Sequence, residues 1–145
     1  MSPAQIERSV ELACEALGVP EALRPVCEAL ALSGPHDADP VSGLAARMGR
    51  TRRWLWRRTV RAGIPTPKRW AQLGTCTYIV CAYMQRGTAQ EAIRGSRIPD
   101  QFQASQAIHG TLGVRFGDVR RELTGRSDAD RWTRWVVDRW LEAVA

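Results

Sequence analysis

The chain almost lacks lysine. Of 21 basic residues, Lys68 is the single lysine and twenty are arginine. Histidine is scarce, with His36 and His109 far apart. Cys14, Cys27, Cys76 and Cys81 form no C-x-x-C pair and sit away from both histidines, so zinc-ligand spacing is absent. No Ser/His/Asp, Cys/His or paired-carboxylate constellation is visible, and His109, beside Gly110, reads as a capping or surface residue. The expectation is therefore a protein that is not an enzyme and holds no metal or cofactor. No apolar run approaches the ~18 residues of a membrane span. Met1 to Val10 has no basic stretch followed by an apolar one, so no secretory signal and no membrane partner are expected, and a cytoplasmic location follows. Four cysteines with apolar neighbours read as buried, reduced thiols. No segment alternates with period two long enough for a strand.

What is present is helix-forming and unevenly charged. At 145 residues, 44% hydrophobic and 25% charged, the composition is that of a globular chain with its own core. The net charge of +6 is segregated. Residues 1–40 carry two basic and seven acidic side chains. Residues 41–126 carry sixteen basic and four acidic, and residues 127–145 three and four. From Arg47 to Arg61 there are seven arginines and no acid. Such a density attracts polyanions, because each neutralised phosphate releases a counterion.

Punctuation divides the chain. Ser2 and Pro3 suit a helix start, with Ile6, Val10, Ala13, Cys14 and Leu17 at helical spacing until Gly18. A second helix is predicted from Pro20, with Leu23, Val26, Cys27 and Leu30 on one face. Ser33 to Pro40 is turn-rich, and the charge changes sign there. The predicted organisation is an acidic helical arm over residues 1–39, a basic body over 40–126 and a Trp-rich helix over 127–145. In the body, Val41–Met48 reads as a short helix, Gly49 as its stop and Thr51 as the cap of a helix to Ala62. Helix, tight turn and Arg-filled helix is the helix-turn-helix pattern. A long helix, Pro67–Arg86, follows. The pattern then recurs as a helix from Ala89 to about Gly95, a turn at Ser96–Pro99, and a helix from Asp100 to about Gly110. A helix from about Gly117 to Leu123 leads to an amphipathic one over Asp128–Val144, with Trp132, Trp135, Val136, Trp140, Ala143 and Val144 on one face. The fold class is all-α: two helix-turn-helix units joined by a long helix, with an N-terminal helical arm and a C-terminal amphipathic helix.

Residues Leu44 to Arg58, with Leu-Ala, a turn Gly, a capping Thr and then Leu55 and Arg57, resemble the first motif of the AraC-type DNA-binding domain. Ala62-Gly63-Ile64-Pro65-Thr66-Pro67-Lys68-Arg69-Trp70 resembles the start of that family's linker helix, and Gly113-Val114 with Asp118 to Leu123 its close. The resemblance spans about Pro40 to Leu123. The second unit departs from it: Arg97-Ile98 replaces Gly and an aromatic, Ala104 and Ile108 replace large core residues, and Gln106 replaces an Arg.

The resemblance implies a sequence-specific regulator of transcription that binds double-stranded DNA and sits on the nucleoid when bound. Leu55, Thr59 and Ala62 should face the core, leaving Arg52, Arg53, Trp56 and Arg57 outward. An arginine fork reads guanine bidentately. Implied base contacts are Arg53, Trp56 and Arg57, with Arg50, Arg52, Arg61 and Lys68 around them. In the second unit the expected outer face is Gln101, Phe102, Ser105 and Gln106. Arg94, Arg97, Arg115, Arg120 and Arg121 are candidate phosphate contacts, which position rather than specify. The arm helices and the C-terminal helix, each apolar on one face, are expected to pack on the body or on each other; the alternative is that Trp132, Trp135 and Trp140 form a homodimer or partner surface. The competing reading of function is a protein-interaction adaptor on a decayed helix-turn-helix scaffold.

Overall fold

A computed structural model describes residues 3–125 and 128–145. Ser2, the expected first cap, and residues 126 and 127, at the expected boundary of the last segment, lie outside them. Among the described residues the structure is helical, with no strand. The helices are α1 (Ala4–Leu17), α2 (Arg24–Ser33), α3 (Pro40–Arg47), α4 (Arg52–Arg61), α5 (Pro67–Arg86), α6 (Ala89–Ala92), α7 (Gln101–Leu112), α8 (Phe116–Leu123) and α9 (Ala129–Val144). Among the described residues no helix is long and apolar enough to cross a membrane.

The predicted second helix starts later than Pro20. Residues 21–23 form a single 3-10 turn, and α2 begins at Arg24 with Pro25 in its first turn. Proline in a helix interior lacks its N–H and collides with the carbonyl four residues back, so α2 cannot run through Pro25 from Pro20. Further along, α6 stops at Ala92 rather than near Gly95. There Ile93 O accepts both the Ser96 N–H (3.0 Å) and its hydroxyl (2.7 Å), and Gly95 takes φ +81°, a left-handed angle that ends a helix.

Helix α5 is the axis of the structure. Thirteen of its twenty residues are buried, on all sides of the helix. α1, α2, α6, α7 and α9 pack around it. The tightest approach is the crossing with α2. A Cβ on Gly74 would lie 1.8 Å from the carbonyl oxygen of Ala31, and one on Gly34 would lie 2.1 Å from that of Ala71. Both clashes are with backbone, so the two helices touch main chain to main chain at a pair of glycines. Segment 1–39, expected as an arm, contributes Ile6, Val10, Ala13, Cys14, Cys27, Leu30 and Ala31 to the same core.

Helix α9 closes the opposite side against α1, α5 and α7. Trp140 is fully buried, 5.0 Å from the Trp70 ring, and its Nε1 donates to Arg69 O at 3.1 Å. Trp132 and Trp135 are also buried, and the Trp135 indole N–H donates to Glu122 at 2.9 Å. This corrects the alternative that these three tryptophans form a partner surface: their apolar area is spent inside the chain. Ala143, expected on the same face, is exposed at the end of the helix.

All four cysteines are free and buried. Burial pushes the Cys76 thiol up to about 12 and the Cys81 thiol up to about 11. Both groups are raised above the ordinary thiol value near 9. The stability tied to their protonated form is therefore complete below pH 9 and is lost as pH rises towards 11–12. Thermal unfolding between pH 7 and pH 10.5 should show a falling midpoint, and a Cys76→Ala/Cys81→Ala variant should show a smaller fall. A second expectation concerns the crossing. Gly74→Ala gains up to about 1 kcal/mol of helix propensity but forces two backbones apart. A net loss of about 3 kcal/mol, at the upper end for overpacking, is expected in urea unfolding. Unchanged stability would mean the crossing is looser than the geometry requires.

Candidate nucleic-acid interface

Helix α4 carries Arg52, Arg53, Arg57, Arg58 and Arg61 and no acid. Local sequence explains why it is a helix despite this. Met48 and Gly49 stop α3, with Gly49 at φ +65°, and Arg50 N–H closes the turn onto Ala45 O at 2.8 Å. The Thr51 hydroxyl then accepts the Trp54 N–H at 3.1 Å and caps α4. α3, a four-residue turn and α4 thus follow the predicted pattern within one residue.

Two side chains fix α4 to the body. Leu55 and Thr59 are each 1% exposed, as expected, while Ala62 is half-buried. The Thr59 hydroxyl is satisfied within the helix by Trp56 O at 2.7 Å. The remaining face is open. Arg53, Trp56, Arg57, Val60 and Arg61 are exposed, with Trp56 at 50% and Val60 at 47%. Among the described residues, Arg53, Arg57 and Arg61 have no ion-pair partner, and Arg52 has a loose one, 3.6 Å from Asp39. Hydrogen bonds from Ser42 hold the Asp39 carboxyl below its ordinary range, with the Arg52 charge adding to them. Trp54 is half-buried and lies between two cations, with the Arg50 guanidinium 4.8 Å from its ring centre and that of Arg58 at 5.8 Å. Arg50 is thus oriented by Trp54.

Beside α4 lies a shallow groove of roughly 400 Å³, lined by Val41, Arg52, Arg53, Trp56, Thr66, Pro67 and Lys68. It brings together four of the candidate residues, Arg52, Arg53, Trp56 and Lys68, at the point where α5 begins. An exposed indole flanked by unpaired guanidinium groups suits a sugar–phosphate chain with a base edge or methyl group beside it.

The second unit is different. Asp100 caps α7 by accepting the Gln103 N–H at 2.9 Å, and Ala104, Ile108, Thr111 and Leu112 turn inward. Gln101, Phe102 and Gln106 are exposed, Phe102 at 69%, and Ser105 is half-buried. Most of the cations around them have partners within the chain. The Arg120 guanidinium donates to Gly87 O at 2.8 Å and Tyr83 O at 3.3 Å and lies 4.6 Å over the Tyr83 ring, tying α8 to the end of α5. Arg94 pairs with Glu91 at 3.3 Å, and Arg121 with Asp118. Arg115 is exposed. Arg97 points away from α7: its Nε donates to Gly34 O at 2.9 Å and its N–H to Pro35 O at 2.8 Å. It lines a pocket with Arg52 and Lys68. Sequence spacing gave no sign of that meeting, because Arg97 is 29 residues beyond Lys68. Among the described residues no group of His, Cys, Asp and Glu could hold a metal ion. No family profile, curated protein or solved structure matches this chain.

Because Leu55 is the one large side chain of α4 that is fully buried, with Trp54 packed beside the core, Leu55→Ala should cost about 2–5 kcal/mol. Amide exchange should then quicken in α4 before α5. Equal loss of protection in both helices would show that α4 is not a separable unit.

Proposed function

We propose that the protein binds double-stranded DNA and acts as a transcriptional regulator of the AraC-type kind, with α4 as the principal recognition helix. The observation that carries this reading is the open face of α4: three unpaired arginines beside a half-exposed tryptophan, on a helix without a single acid. Guanidinium groups left unpaired on a protein surface favour phosphate and guanine edges over carboxylates already consumed elsewhere. α3 and α4 form the helix-turn-helix that presents this face, with Arg53, Trp56 and Arg57 reading bases and Arg52, Arg61 and Lys68 positioning the backbone. α7 is the weaker second reader. It offers Gln101, Phe102 and Gln106 but no cation, so it adds contact without electrostatic attraction.

The adaptor reading loses its main support, since Trp132, Trp135 and Trp140 are core residues. Arg120→Ala, which would test a phosphate contact, disturbs the junction of α8 and α5 and is a poor probe. Arg53→Ala and Arg57→Ala are the informative changes, because neither side chain has an internal partner.

The test is a mobility-shift and anisotropy titration on duplexes selected from a random pool. Affinity should fall about a thousandfold or more between 50 and 200 mM salt if six or more phosphates are engaged. Arg57→Ala should lose about 1–3 kcal/mol of discrimination between selected and scrambled duplex. No shift at 50 mM salt, with the protein folded, would sink the reading. If Arg53→Ala and Arg57→Ala together left selected-duplex affinity unchanged, α4 would not be the reader.

A further inference from the structure

A second concavity adjoins the groove along α4, sharing Val41, Arg52 and Lys68 with it, and lies where three parts of the chain meet. It has a volume of roughly 360 Å³, within the ordinary range for small-ligand sites, about 300–1,000 Å³. One wall is the face of α5 that carries Lys68, Gln72 and Thr75, four and three residues apart and so on one side of the helix. The opposite wall is the turn from Ala38 to Val41, with Asp39, and the first residue of α4, Arg52. The third is Arg97, from the connection between α6 and α7.

The chemistry of this lining is specific. Three cations face one carboxylate. Arg97 is held by its Nε on Gly34 O, which fixes the guanidinium while no hydrogen bond or ion pair among the described residues takes its two terminal nitrogens. Lys68, the one lysine of the chain, has no ion-pair or hydrogen-bond partner among the described residues. Gln72 Oε1 is buried and lacks a hydrogen-bond partner there. A ligand suited to this site therefore carries a dianionic group for Arg52, Lys68 and Arg97 and at least one donor for Gln72 and Asp39. A phosphodiester backbone offers acceptors only and so leaves Asp39 and Gln72 without a donor.

We propose that this pocket binds a small phosphomonoester bearing hydroxyl or amino groups, a sugar phosphate being the simplest member of the class. The phosphate sits among Arg52, Lys68 and Arg97, and the hydroxyls reach Gln72 and Asp39. The inference does not rest on the proposed DNA binding, and a duplex enters its test only as a competitor.

The experiment is calorimetric titration of the full chain with ribose 5-phosphate, ribose and inorganic phosphate at 50 mM salt, repeated with Lys68→Gln and Gln72→Leu. Circular dichroism and the thermal midpoint check that each variant is folded. Ribose 5-phosphate should bind measurably, ribose should not, and inorganic phosphate should bind at least about tenfold more weakly than the ester, the equivalent of one lost good contact. Lys68→Gln should weaken the ester about tenfold by removing one charge-assisted contact. Gln72→Leu should weaken the ester while leaving inorganic phosphate unchanged. Absence of ester binding by the folded wild type would overturn the proposal, and so would an affinity indifferent to Lys68→Gln. Equal affinities for ester and inorganic phosphate would also overturn it, reducing the pocket to a general anion patch. In a parallel arm, a 20-base-pair duplex that displaces the ester without loss in Gln72→Leu would assign the pocket to the DNA backbone and overturn the small-ligand assignment.

Discussion

Two helices without side chains at their point of contact set the geometry of everything else. At the crossing of α2 and α5, Gly34 meets Ala71 and Gly74 meets Ala31, backbone on backbone. Even a methyl group at either glycine would clash with the facing backbone and push the helices apart. The contact decides where the chain leaves α2, and hence where the turn through Asp39 into α3 lies. It also fixes Gly34 O and Pro35 O as the acceptors that hold Arg97. The first helix pair is thus tied through a close-packed seam to the connection that precedes α7.

Around that seam the charges sort by what the backbone leaves open. Helix α5 has buried residues on all its sides. Its arginines lie at its ends: Arg69 is half-buried at the start, and Arg86 at the other end donates to Glu91 O at 2.8 Å. Most acids of the first segment, among them Glu7, Glu15 and Glu28, are exposed on α1 and α2. One of them joins the basic helix, Asp39 at Arg52. The C-terminal helix has its own pairs, Arg134–Asp130 at 2.7 Å and Arg139–Glu122 at 2.8 Å. Acid and base are therefore matched along α9 and, apart from the loose Asp39 contact at Arg52, unmatched on α4. Exposed pairs contribute little to stability, at about 0–1 kcal/mol each. On α4 they leave Arg53, Arg57 and Arg61 without an acidic partner among the described residues.

The sequence made the helices legible wherever a cap and a stop coincided. Thr51, Thr88, Asp100 and Asp128 all accept hydrogen bonds from the N–H three residues on, and α4 and α5 begin and end within a residue of their predicted limits. The inward face of α4 was legible because Leu55 and Thr59 are four apart. What could not be read were contacts between segments far apart in sequence. Periodicity marks a face as apolar without saying which element covers it, so Trp132, Trp135 and Trp140 read first as packing on the body, with a partner surface left open as the alternative. An arginine has one signature whether it meets a phosphate or the end of a helix, which is why Arg120 was assigned outward. The glycines of the crossing carried no signal, since Gly34 read as part of a turn and Gly74 as one more inward residue.

The uneven burial of the six tryptophans has an optical side. Trp70 and Trp140 are sealed, Trp132 and Trp135 nearly so, and Trp54 is flanked by guanidinium groups. Trp56 alone among them stands half in solvent, on the open face of α4. A water-borne collisional quencher therefore meets Trp56 first and Trp54 in part, both on α4, and anything that covers α4 shields them. The chain carries its own fluorescent reporter, at the one helix whose occupancy most needs reporting, against a background of four buried emitters.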